Sequence, residues 1–68
     1  MKKYFFVDFN NYMGTGSVRE LELAKNCPHV KKERAGVYIY QNNELGLSRV
    51  LYTDKNKAEF ALLCLEQD

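Results

Sequence analysis

The chain is poor in the residues that usually give a small protein its chemistry. Among 68 residues it has one histidine, two cysteines and one proline, and its basic and acidic side chains nearly cancel to a formal charge of +1. Two cysteines make at most one bridge, too few for the disulfide frameworks that staple small secreted domains. Cys27 and Cys64 are therefore expected to be reduced. The lone histidine, His29, follows Cys27 in a Cys-Pro-His stretch, which leaves a tetrahedral metal site about two ligands short. Nothing in the sequence ties His29 to Cys64 or Ser17, so neither a Ser-His-Asp nor a Cys-His arrangement is expected. The charge balance speaks against both a strongly basic nucleic-acid binder and an acidic DNA mimic. Lys2 and Lys3 before an apolar run imitate a signal peptide, but Asp8, Asn10 and Asn11 interrupt it before a membrane-inserting length. A cytoplasmic protein with no membrane partner is expected.

What is present is enough apolar residue to fold. The hydrophobic content of 46% exceeds that of a disordered tail, and residues 1–68 read as a single small globular domain. A core of this size rarely supplies more than about 3–5 kcal/mol, so small domains often add a disulfide, a metal or self-association.

Residues 3–11 alternate as a strand, with Phe5, Val7 and Phe9 on one face and Tyr4, Phe6 and Asp8 on the other. The turn Met13-Gly14-Thr15-Gly16 leads to Ser17-x-x-Glu20, the pattern of a capping box. Val18, Leu21 and Ala24 at spacings of three predict a helix that Pro28 stops near Asn26 or Cys27. Residues 29–35 lack a period and read as a solvated, extended connection. VYIYQNN after Gly36 and LSRVLYT after Gly46 predict a hairpin. The last element opens at Thr53, Asp54 or Asn56 and places Ala58, Ala61, Leu62 and Leu65 on one helical face, widened by Phe60, Leu63 and Cys64. The expected fold is therefore α+β: a two-layer sandwich in β-α-β-β-α order, its three-stranded sheet covered by helices on one face.

Three stretches can carry function. Gly14, Thr15, Gly16 and Ser17 before a helix offer backbone N–H groups to an anion, with Arg19 nearby, although Arg19 stands where a dinucleotide loop has its third glycine. The alternative role of these residues is a sharp turn and a helix cap. The second stretch is the hairpin. Gly36-Val37-Tyr38 followed by Tyr52-Thr53-Asp54 resembles the opening hairpin of the GIY-YIG nucleases over about a third of the chain. Asp54 stands where that family has glycine, and the helix that follows has no arginine. Nuclease activity is therefore not expected. The third is the tyrosine supply. Tyr38 and Tyr40 share one side of their strand, and Tyr52 and Arg49 lie in the next, which suits a half-wet contact surface. Lys2, Lys3, Lys31, Lys32 and Arg34 can add a basic patch on which bases would stack, diluted by Glu33.

The expected function is a non-enzymatic binding protein that needs no cofactor and acts on a protein partner through Tyr38, Tyr40, Tyr52 and Arg49. Its size suits a phage or mobile-element regulator or inhibitor of a host protein. The alternative is a nucleotide, another phosphate-bearing ligand or a nucleic acid at Gly14–Ser17 with Arg19. A homodimer is expected, with Tyr38, Tyr40 and Tyr52 near its interface.

Overall fold

The computed structural model describes residues 1–67. β1 (Lys2–Asn10) and β2 (Thr15–Leu23) form a long antiparallel hairpin, paired from Lys2 opposite Leu23 to Asn10 opposite Thr15. Asn10 sets the turn: its Oδ1 accepts from the N–H groups of Tyr12 at 2.8 Å and Met13 at 3.2 Å, and Gly14 then takes φ 70°. β3 (Val30–Arg34), β4 (Val37–Asn42) and β5 (Leu47–Tyr52) form an antiparallel meander, and helix α1 (Lys55–Glu66) ends the chain. The two parts join where Phe5 of β1 pairs with Tyr52 of β5, giving one five-stranded sheet in the order β2-β1-β5-β4-β3.

The first strand, the hairpin of β4 and β5 and the C-terminal helix follow the sequence pattern, but the expected three-stranded sheet in β-α-β-β-α order is overturned. The sheet has five strands, all neighbours antiparallel, and one helix instead of two. The stretch expected to be the first helix is strand β2. An isolated helix of that length is marginal in water, whereas as a strand it gains a full ladder with β1. Its charges also find partners across that ladder, Arg19 Nε on Asp8 Oδ2 at 2.9 Å and Lys3 Nζ on Glu20 Oε1 at 3.4 Å. Ser17 therefore caps no helix. Residues 30–34, expected as a solvated connection, form edge strand β3, whose Lys31, Lys32, Glu33 and Arg34 are exposed and whose register shifts between Lys32 and Arg34. Charge and a bulge are common means of blunting a free sheet edge.

Strand alternation and register sort the side chains onto two faces. One carries Phe5, Val7 and Phe9 of β1, Gly16 and Val18 of β2, Val50 and Tyr52 of β5, and Val37 and Ile39 of β4. The helix lies on this face and packs over β1, β2 and β5, with Ala58 fully buried beneath it. Asp54 caps its start, its carboxylate accepting from Asn56 N–H at 2.9 Å. Gly16 is what allows the helix so close. A Cβ there would sit 2.7 Å from the Asp8 carbonyl oxygen and 2.9 Å from Leu62 Cδ1. The opposite face carries Tyr4, Leu51, Tyr38 and Tyr40, where Tyr4 and Leu51 form a second small core.

Two adjacent residues therefore have opposite roles. Gly16→Ala is expected to destabilise the fold by roughly 1–3 kcal/mol, because a backbone oxygen blocks the added methyl group. Ser17→Ala, exposed on β2, should stay within about 0.5 kcal/mol of the parent. Urea melts of both variants check this, and a costly Ser17→Ala with a neutral Gly16→Ala would contradict it.

Candidate partner-binding surface

The four residues expected to form the contact surface divide between the two faces. Tyr38, Tyr40 and Arg49 lie on the face away from the helix, with Tyr40 directly opposite Arg49 and Tyr38 opposite Leu51. Tyr52 points to the helix side. Tyr38 and Tyr52, the two tyrosines of the nuclease-like stretch, thus face opposite ways in neighbouring strands.

The tyrosine face is largely occupied by its own contacts. The Tyr38 ring meets Tyr4 edge-on, with centroids 5.4 Å apart, and Lys2 Nζ lies 5.1 Å from the Tyr38 centroid. The Arg49 guanidinium carbon stands 4.5 Å from the centroid of Phe6, and His29 meets Tyr40 edge-on at 5.9 Å. Buried Asn42 anchors the far end of this row. Its Oδ1 accepts from Glu44 and Leu45 N–H groups, and its Nδ2 donates to the Tyr40 hydroxyl at 3.4 Å. Lys2, Lys32 and Arg49 do converge beside the tyrosines here, whereas Lys3 and Lys31 point to the helix side. Rings already covered by cations offer little free stacking surface.

Gly14, Thr15, Gly16 and Ser17 do not form a loop before a helix. Gly14 ends the hairpin turn, Thr15 to Ser17 open β2, and Gly16 faces the helix. The Arg19 side chain is engaged with Asp8. Among the described residues no group of three or more His, Cys, Asp or Glu is placed to hold a metal ion, and no helix is long and apolar enough to cross a membrane.

The helix side presents a different surface. The α1 backbone does not reach β3 or β4, so the half of the sheet beyond β5 is uncovered. Two open clefts of about 520 and 550 Å³ flank this boundary and adjoin at Tyr52 and Ala61 to give an open groove, whose first cleft is also bordered by Phe6, Leu47 and Arg49. Its floor is Val37, Val50 and Tyr52, and its helical wall is Phe60, Ala61 and Cys64. Phe60 is 67% exposed, Leu63 50%, and Leu65 and Val50 45% each. These residues were visible in the sequence as an apolar band too wide for one helical stripe, since Phe60, Leu63 and Cys64 extend the face that Ala58 and Leu62 already fill.

The cation over Phe6 tests how self-contained the tyrosine face is. Arg49→Ala should cost about 0.5–1 kcal/mol, the value of an exposed cation–π contact, with no change in the environment of Phe60. Thermal melts and side-chain NMR shifts of Phe60 measure the two parts, and a shift at Phe60 would show that the faces are coupled. The chain matches no family model, no curated protein and no solved structure.

Proposed function

We propose that this protein is a binding protein that acts by occupying a protein partner, without catalysis, and that its contact surface is the groove beside α1. One observation carries the reading: Phe60, Leu65 and Val50, which line the groove, are all substantially exposed on the half-covered side of the sheet. Single exposed apolar residues are ordinary, but a contiguous set along a groove is characteristic of an interaction site. Burying a side chain of this class from full exposure yields about 1.5–3 kcal/mol. Several partly exposed ones together therefore approach the cost of association, about 4 kcal/mol or more. Basic side chains rim the groove at Arg34 and Lys57, which favours a partner with acidic groups beside its apolar anchor. Its floor is on the opposite side of the sheet from Tyr38 and Tyr40, while Arg49 borders its first cleft. Occupying a partner's surface is the mode of action of a regulator or inhibitor.

Capture from lysate by the immobilised full chain, with mild crosslinking, tests the reading through its variants. Proteins held by the parent and by Tyr40→Ala should be lost with Phe60→Glu and with Val50→Lys, provided far-UV circular dichroism shows both variants folded. Loss with Tyr40→Ala and retention with Phe60→Glu would move the contact surface to the tyrosine face.

A further inference from the structure

We infer, resting on the groove as the contact surface, that its occupant is a second copy of this chain, seated so that the α1 helix of each protomer covers the bare half-sheet of the other. Two deficits of the fold match. A helix is about 10 Å wide and neighbouring strands are about 4.8 Å apart, so one helix covers roughly two strands. A five-stranded sheet has room for a second, and α1 lies over the β2-β1-β5 half only. Val50, at the margin of the covered half, and half-buried Ile39 beyond it face the helix side, and the helix turns Phe60 and Leu63 away from its own sheet. One surface lacks a helix, the other lacks a sheet, and both are on the same side of the same chain. A two-fold axis running alongside the helices satisfies both at once, with two helices side by side between two sheets, and the same patch used by both protomers.

The outer flanks of the helices carry charge that suits that seating, whereas Lys57 lies on the inner flank. Helical spacing puts Lys57, Ala61 and Cys64 on the flank of α1 that faces the groove, and Glu59, Leu63 and Glu66 on the other flank. In the two-fold arrangement this second flank of the partner copy points across the bare half-sheet towards β3. There Lys31 shares the helix-side face with Ile39, and Arg34 lines the groove. An acidic flank thus meets a basic rim, twice. Neither Glu59 nor Lys31 makes an ion pair within its own chain among the described residues.

The test is the mass of the full chain by light scattering after size exclusion, from ~1 to ~100 μM, with melting temperature followed over the same range. A dimer whose melting temperature rises with concentration is expected. Phe60→Glu and Val50→Lys should each raise the dissociation constant roughly tenfold or more, with circular dichroism confirming that they fold. Glu59→Lys and Lys31→Glu should each weaken the dimer roughly two- to fivefold, and the two together in one chain should restore it, a rescue that general damage to the fold cannot produce. A monomer at all concentrations overturns the inference, as does a dimer indifferent to Phe60→Glu and Val50→Lys. A monomer that still captures a lysate protein in a Phe60-dependent way overturns only the second copy and leaves the groove as a contact surface for another protein.

Discussion

Two half-sheets meet at a single paired position, Phe5 with Tyr52, and everything else in the molecule follows from how that joint is held. The hairpin of β1 and β2 and the meander of β3 to β5 each have continuous internal ladders, but neither can bury a core alone. Helix α1 supplies the clamp, since it leaves β5 directly after the joint and packs back over β1 and β2. Its approach is possible because Gly16 puts no side chain between Asp8 and Leu62. The other side of the joint is closed by Tyr4, Leu51 and Tyr38, so the seam is buried from both faces.

The same clamp produces the exposed groove. Twelve residues of helix extend about 18 Å, enough to seal the joint and no more, and the helix backbone stays clear of β3 and β4. The turn from β3 to β4 is tied to the helix start instead by a side chain and by backbone, with Lys57 Nζ donating to Ala35 O at 3.4 Å and Thr53 N–H to Gly36 O at 3.1 Å. Val50, 45% exposed, and half-buried Ile39 are then held by the sheet ladder on the side that the helix only partly covers. Rigid apolar surface is well suited to binding, because little conformational entropy is lost when it is covered.

The two faces are unlike in how their polar and aromatic groups are satisfied. On the tyrosine face each ring has a partner, whether another ring or a cation, and Asn42 spends its side chain on a turn and a hydroxyl. On the helix side the apolar residues have no such partners. Aromatic content alone therefore points to the wrong side of the sheet: tyrosines collect where they can pack and still reach water, which here is a self-contained surface.

The sequence by itself determined the elements whose signals are local. The alternation of Tyr4 to Phe9, the β-branched and aromatic residues at 37–42 and 47–52, and the Asp54 cap before an apolar helix each act within a few residues, and each element formed where its pattern predicted. The wide apolar band of α1 was equally legible, and so was the excess that one stripe cannot bury. Only the tertiary structure decided the rest. Thr15 to Leu23 carries a capping box and a spacing of three, yet pairing with β1 outweighs both, because a full ladder and two cross-strand ion pairs depend on residues far away in the chain. Lys31 to Arg34 has no period because an edge strand need bury little. Gly16, which reads as part of an anion loop, is small because a helix from the other end of the chain presses on it. Which apolar residues stay bare depends on where that one helix lies, and no window of neighbouring residues contains that information.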